Sequence, residues 1–179
     1  MTPFSGQRFG LGAVVAVAFS LHAAVALADE VYQTPEAFVA QAFGGDPPPP
    51  KRLWITKPRK ADVARILGHG LGVLRVPYWE RDGRTAWILE EIGKAHPITT
   101  GFVVGNGRLE TVKVLIYRES RGWEVRYPFF TDQFLGATLD SALRLDRHID
   151  SISGATLSVD ALTRLSALAL YLHGQTVDG

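Results

Sequence analysis

Apolar and polar residues alternate along the middle of the chain, and this pattern predicts four β-strands. The strands are predicted over residues 72–79, 84–92, 98–104 and 109–117. Asp82-Gly83 separates the first pair and Asn106-Gly107 separates the last pair, and both dipeptides favour tight hairpin turns. Because short connections join antiparallel neighbours, residues 72–118 are predicted to form a four-stranded antiparallel meander.

Apolar residues at helical spacing lie on both sides of this meander. Thr34 is expected to cap a first helix that has Pro35 at its first position and ends at Gly44. A long helix with one apolar face is predicted from Leu157 to about Gly174. Short helices are further predicted over 61–67, 131–135 and 139–145, with a turn at Gly136. The predicted class is α+β, an antiparallel sheet with helices packed on it.

The first 28 residues have the composition of a secretory signal peptide. Arg8 is their only charge, residues 11–28 are apolar or small apart from His22, and Ala26-Leu27-Ala28 fits a cleavage site. An uncleaved membrane anchor is the alternative, because the stretch is just long enough to span a bilayer. We expect cleavage and export to the periplasm. The chain then divides into a signal peptide (1–28), an N-terminal helical and linker region (29–71) and a domain (72–179).

Composition excludes several classes of protein. The 179 residues are 46% hydrophobic and 21% charged, which is typical of a globular domain rather than a disordered chain. The net charge is +1, so charge gives no reason to expect nucleic acid as a partner. Cysteine is absent, which excludes disulfides, cysteine-ligated iron–sulfur clusters and c-type haem attachment. The histidines lack metal-ligand spacing, and no metal site is predicted.

Two features of the N-terminal region have alternative readings. The Asp46–Pro50 sequence DPPPP is interpreted as a stiff spacer, with an interaction motif as the alternative. The basic stretch that follows, from Lys51 to Lys60, is interpreted as a solvated loop that leads into a helix. A docking patch for an acidic partner is its alternative.

The segment with the most specific chemistry is Asp150-x-x-Ser153-Gly154-Ala155-Thr156. It resembles the acceptor motif for covalent flavinylation, in which a flavin transferase joins the phosphate of FMN to the threonine hydroxyl. The surrounding stretch, about 98–173, resembles the FMN-binding domain family, which includes flavin-carrying subunits of the Rnf complex and of the sodium-translocating NADH:quinone reductase. The resemblance implies FMN on Thr156 and Asp150 as part of the transferase recognition signal.

A second segment strengthens this resemblance. Glu119-Ser120-Arg121-Gly122 follows a predicted strand and is similar to the Glu-Thr-Pro-Gly turn that family members place against the flavin ring. Arg121 departs from the proline of that pattern. Gly122 allows close approach, Trp123 or Phe134 is a candidate to stack on the ring, and Glu119 is alternatively expected to fix the turn through backbone N–H groups. Core packing is the other reading of Trp123, and it is favoured for Trp54, Trp79 and Trp87.

The residues around Thr156 fit a bound phosphate on physical grounds as well. Gly154 and Ala155 are small enough for close approach, and Thr156 and Leu157 lie at the start of the long helix. The unpaired N–H groups and the positive dipole end of a helix N-terminus favour an anion. The alternative is that Ser153, Thr156 or Ser158 simply caps the helix.

The resemblance implies an exported electron carrier rather than a stand-alone enzyme. FMN would exchange electrons with a membrane or periplasmic redox partner, for which a cytochrome is one candidate, and a flavin transferase would be the second partner. Two alternatives stay open at this point. One is a flavin-dependent reductase of a small substrate, and the other is a non-redox binding or scaffold module.

Overall fold

The computed structural model of the protein describes residues 29–177, and the predicted signal peptide lies outside them. These residues form an α+β fold in which one antiparallel sheet is packed against helices, as predicted. The strands are Glu30–Val31 (β1), Lys51–Trp54 (β2), Arg75–Arg81 (β3), Arg84–Ile92 (β4), Pro97–Gly105 (β5) and Arg108–Tyr117 (β6). The strand order is β1-β6-β5-β4-β3-β2.

The predicted meander is confirmed as β3 to β6, with each strand antiparallel to the next. Asp82 and Asn106 have positive φ angles of 52° and 51°, and the glycine after each is also left-handed. This is the conformation that a type I′ hairpin turn requires and that Asp-Gly and Asn-Gly tolerate. The two dipeptides therefore set the register of the central strands.

The two edge strands come from the region expected to be helices and linker. β1 pairs with β6, and β2 pairs with β3, so this region extends the sheet on both sides. The reading of Lys51–Trp54 as a solvated loop is therefore wrong, although three of its four residues are exposed and only Leu53 is buried. The basic side chains that made this stretch look like a loop are typical of edge strands, where they hinder pairing with other chains. The boundary at residue 72 stays a prediction.

The helices differ from the predicted ones mainly in their bounds. The α-helices are Pro35–Ala42 (α1), Lys57–Leu67 (α2), Pro128–Thr131 (α3) and Thr156–Val177 (α4), and 3₁₀ helices cover Trp123–Arg126 and Asp132–Phe134. The Thr34 side chain caps α1 by accepting the Ala37 N–H at 3.2 Å, as predicted. Gly174 does not end α4, which continues to Val177. None of the helices within residues 29–177 has both the length and the apolar character needed to cross a bilayer.

Residues 139–145 do not form the predicted helix. Leu139 and Leu145 form an isolated antiparallel bridge, and the chain turns between them with Leu143 at φ 63°. The Asp140 carboxylate holds this turn by accepting the backbone N–H groups of Ala142 and Arg144, each at 2.8 Å. Asp side chains commonly stabilise such turns, and this local bonding outweighs the apolar spacing of the leucines.

The two faces of the sheet are covered by different helices. The larger core lies between the sheet and helices α2 and α4, and it includes Trp87 and Phe102. The smaller core lies on the other face, where Phe38 of α1 packs with Ala86 and Val103. Because side chains alternate along a strand, neighbouring residues such as Ala86 and Trp87 belong to different cores. Of the tryptophans expected in the core, Trp87 is fully buried, whereas Trp54 is 57% exposed on β2.

Gly101 on β5 should be essential for packing α1, because a Cβ at this position would lie 2.6–2.8 Å from the buried Phe38 ring. We expect Gly101→Ala to lower the free energy of unfolding by about 1–3 kcal/mol, the usual cost of overpacking a core. Urea denaturation measures the change. Gly70→Ala is the matched control, since an added Cβ there meets no atom within 4 Å, and an equal loss in both variants would contradict the packing argument.

A buried polar network links α4 to β4. The Trp87 indole N–H donates to Thr85 Oγ1 at 2.9 Å, and the same hydroxyl lies 2.8 Å from Nδ1 of His173. Burial lowers the pKa of His173 below its ordinary value of 6.5, although Glu110 and Glu80 act in the opposite direction. The folded protein therefore favours a neutral imidazole.

The pH dependence of stability should contain a contribution from His173. Below pH 6.5 the unfolded chain binds a proton that folded His173 resists, so stability is lost as the pH falls. Gln at this position cannot titrate, and we therefore expect the difference in melting temperature between wild type and His173→Gln to narrow from pH 7.5 to pH 5. Thermal unfolding across this range measures it. A difference that stays constant would show that His173 does not titrate in this way.

Candidate functional site

A cleft of about 640 Å³ opens where the start of α4 meets the turn after β6 and the turn between β4 and β5. It is lined by Lys94, Glu119, Ser120, Arg121, Gly154, Ala155, Thr156, Leu157 and Ser158. The structure thus brings the two sequence motifs together, although Ser153 follows Glu119 by 34 positions in the sequence. Lys94 is the residue of this cleft that sequence reasoning missed.

Glu119 holds the turn between β4 and β5. Its Oε1 accepts the backbone N–H groups of Lys94, Ala95 and His96 at 2.6, 2.6 and 2.9 Å. Burial alone would raise the pKa of Glu119, but the three donors outweigh it, and the pKa lies below the ordinary 4.5. Glu119 does bind backbone N–H groups, but they belong to the neighbouring turn that carries Lys94, so the expectation that Glu119 fixes its own turn is wrong.

The turn after β6 packs directly against the start of α4. Gly122 has φ 82°, and a Cβ there would lie 3.1 Å from the Cβ of Ala155 and 3.0 Å from the Tyr117 hydroxyl. Tyr117 Oη donates to the Arg121 carbonyl at 2.6 Å and lies 3.0 Å from the Ser158 hydroxyl. Glycine at 122 and a small residue at 155 therefore allow the two motifs to meet, and one phenol joins them.

Thr156 is exposed and is the first residue of α4. Ala155 precedes it and has no side-chain acceptor for the first N–H groups of the helix, while the Ser158 hydroxyl lies against Tyr117. Among the hydrogen bonds of residues 29–177, none joins the side chain of Ser153, Thr156 or Ser158 to an N–H of this first turn. The helix-cap reading of these residues is therefore wrong, and within the described residues the first N–H groups of α4 have no side-chain cap.

Four other predicted residues, Ser153, Asp150, Trp123 and Phe134, are not among those that line the cleft. Ser153 is exposed just before it, and the Asp150 side chain is 86% exposed, with its backbone N–H donating to Gln133 Oε1 at 2.8 Å. Trp123 is 40% exposed and packs edge-on against Tyr127. Phe134 is fully buried against Phe130, so the expectation that it stacks on a flavin ring is wrong.

The cleft suits a phosphorylated aromatic cofactor in size and charge. Its volume lies within the 300–1,000 Å³ that is usual for sites of small molecules and cofactors. The start of α4 offers N–H donors and a positive dipole end, and Lys94 and Arg121 add two cations. These groups would hold the phosphate of FMN near Thr156.

The Glu119 carboxylate should stabilise the protein in a pH-dependent way. Glu119→Gln keeps the shape but weakens bonds to three N–H donors, so we expect a loss of about 1–2 kcal/mol at pH 7. This difference in the free energy of unfolding should have its full size above pH 4.5, the ordinary pKa of a glutamate carboxyl. It should shrink as the pH falls through the lower pKa of folded Glu119, because the wild-type carboxyl then becomes protonated and loses its charge. Urea denaturation at pH 7, 5 and 3 measures this. Glu124→Gln is the control, and a Glu119→Gln deficit that is unchanged at pH 3 would contradict the role assigned to the charge.

Comparison with known proteins agrees with the geometry. The sequence model of the FMN-binding domain family matches residues 93–171, a range that includes the turn at Lys94, the Glu119 turn, the Thr156 motif and most of α4. No curated protein and no solved structure matches the chain. Residues 93–171 are therefore identified as an FMN-binding domain, and FMN is the cofactor of this domain.

Proposed function

We propose that this protein is an exported electron carrier that holds FMN through a phosphoester on Thr156. The observation that carries the proposal is the position of the Thr156 hydroxyl, which is exposed at the uncapped start of α4 and at the rim of the cleft. A hydroxyl there is accessible to a modifying enzyme, and a phosphate attached to it would lie at the helix N-terminus. In this proposal the threonine oxygen forms a bond to the flavin phosphorus, the P–O bond to the donor's leaving group breaks, and the hydroxyl proton leaves with that group, so the protein gains FMN less one water.

Charge in the cleft favours holding this phosphodiester. Lys94 and Arg121 lie on the same cleft as Thr156, and the Glu119 carboxylate is already bound to three backbone N–H groups. The anion would therefore meet two cations and the helix dipole, while the negative charge of Glu119 is compensated by its own donors. A covalent bond would also keep the cofactor from being lost by dilution outside the cytoplasm.

The same arrangement favours a carrier over a reductase that acts on its own substrate. A general acid or base needs a group that is available to move a proton, and the low pKa and the three N–H partners of Glu119 make it a poor one. FMN when bound supplies one- and two-electron chemistry, and an open cleft lets a redox partner approach the ring edge. We propose a membrane or periplasmic partner such as a cytochrome.

Attachment of FMN requires a second protein in this proposal. Asp150 lies six residues before Thr156 and its side chain is 86% exposed, so an enzyme that approaches Thr156 can contact both. We propose that a flavin transferase recognises this segment. Export through the signal peptide at residues 1–28 and function in the periplasm complete the proposal.

Replacement of Thr156 tests the covalent bond. When the full chain is expressed with an exported flavin transferase, we expect an intact mass equal to residues 29–179 plus FMN less one water. The yellow colour should stay with the protein in acid. Thr156→Val should lack both, because its methyl group cannot form an ester, whereas Thr156→Ser keeps a hydroxyl and should retain at least part of the adduct.

Ser151→Ala is the matched control, since it removes an exposed hydroxyl close to the motif and should leave flavin attachment unchanged. An acid-stable yellow Thr156→Val protein would contradict attachment at this residue. A wild-type protein that binds FMN but releases it in acid would contradict the ester while leaving the cofactor assignment intact.

A further inference from the structure

A second cleft, of about 480 Å³, lies away from the cleft that contains Thr156, which is called the flavin cleft below. Helices α2 and α4 form two of its walls, and the turn over residues 140–147 forms the third. It shares no lining residue with the flavin cleft. Arg164 of this cleft follows Thr156 by eight residues of α4, which corresponds to about 12 Å along the helix axis.

Four arginines line this cleft, namely Arg65, Arg144, Arg147 and Arg164, together with the single acid Asp140. Arg147 is held by Asp146 Oδ1 at 3.1 Å and by the Leu135 carbonyl at 2.9 Å. The other three guanidinium groups donate no hydrogen bond to any of the residues 29–177, and the Nε–H of Arg164 is buried. The residues that line the cleft therefore include four cations and one acid, and three of the guanidinium groups have unused N–H donors.

The acids nearest to these three arginines are bound to other donors. Asp62 lies 3.7 Å from Arg65 but accepts the Tyr171 hydroxyl at 3.0 Å. Asp140 lies 3.6 Å from the Arg144 side chain but accepts the two backbone N–H groups of its own turn.

The acid near the third arginine is the buried Glu91. It lies 3.8 Å from Arg164 but contacts His69 Nε2 at 2.9 Å and accepts the Ile92 N–H at 3.0 Å. Each of the three arginines thus lies within ion-pair distance of an acid but does not donate a hydrogen bond to it. The acids partly balance the positive charge of the three guanidinium groups, while the N–H donors of these groups stay available to a ligand.

The cleft also has an apolar lining between the charges. Ile66 and Ala167 belong to the main core and are nearly buried, and Leu143 and Leu145 pack against that core from the turn. The turn is fixed by its Leu139–Leu145 bridge and by Asp140. The site is therefore preformed, with an apolar interior and planar cationic groups at its rim.

From this arrangement we propose that the cleft between α2, α4 and the 140–147 turn binds a small organic anion, one whose carboxylate, sulfonate or phosphate group is attached to an apolar body. A guanidinium group can donate two parallel N–H bonds to such an oxyanion, and the apolar lining can contact the apolar body of the ligand. Both parts are needed, because a bare anion leaves the apolar lining in water and a neutral molecule leaves the guanidinium donors unused.

Calorimetric titration of the purified full chain with three probes separates these contributions. Naphthalene-2-sulfonate combines an aromatic body with an oxyanion, 2-naphthol has the same rings without the anion, and sodium sulfate supplies the anion alone. We expect one naphthalene-2-sulfonate per chain, with each of the other two probes binding at least tenfold more weakly. Absence of saturable binding, or 2-naphthol or sulfate binding as tightly as the sulfonate, would overturn the proposal.

Variants locate the bound probe. Arg65→Gln/Arg144→Gln should weaken naphthalene-2-sulfonate at least tenfold, and Ala142→Trp should do the same by filling the cleft while keeping its charges. Arg52→Gln/Lys57→Gln is the matched control, because it removes two exposed positive charges that do not line the cleft and should leave binding unchanged. Equal weakening in the control, or full binding in Ala142→Trp, would place the probe elsewhere and overturn the proposal.

Discussion

The hydroxyl of Tyr117 joins the sheet to the helix that carries the candidate attachment residue. Tyr117 ends β6 and is 1% exposed, and its hydroxyl reaches the carbonyl of Arg121 and the hydroxyl of Ser158. Burial raises the pKa of this phenol, with a contribution from the charge of Glu119, so it stays a neutral donor. Among residues 29–177 this phenol provides the hydrogen-bonded connection between the turn at Gly122 and α4, beside the close packing of Gly122 on Ala155.

The rest of the site depends on the geometry of the meander. In a meander every second turn lies at the same end of the sheet, so the turn between β4 and β5 lies beside the end of β6. Because the two lie close together, the Glu119 carboxylate binds three N–H groups of that turn. This contact holds the turn so that Lys94 lines the cleft. Helix α4 crosses the larger core and begins at the same end, where its uncapped first turn completes the site.

Local signals in the sequence were sufficient for the central part of the fold. Asp82-Gly83 and Asn106-Gly107 have one strongly favoured turn conformation, and the strands between them follow with bounds within a few residues. Sequence motifs likewise identified Glu119 and Thr156, because the chemistry of each is carried by a short contiguous segment. The general affinity of a carboxylate for backbone N–H groups was enough to predict that Glu119 binds such groups, but it did not show that they belong to the turn at Lys94.

What the sequence did not reveal depends on contacts between distant segments. The strands β1 and β2 are short and mostly exposed, so their pairing partners, rather than any periodicity, make them strands. Phe134 and Trp54 are both large aromatic residues, and only the packing around them decides that one is buried and the other exposed. Lys94 carries no motif, although the meander itself implies that its turn lies beside the end of β6.

The most direct test of the account is to map the modified residue in the protein loaded with flavin. Trypsin should release residues 148–164, a peptide that contains Thr156 together with the hydroxyls of Ser151, Ser153, Ser158 and Thr163. Tandem mass spectrometry of this peptide should find the mass of FMN less one water on Thr156. An unmodified peptide, or the same mass on one of the other four hydroxyls, would contradict the account.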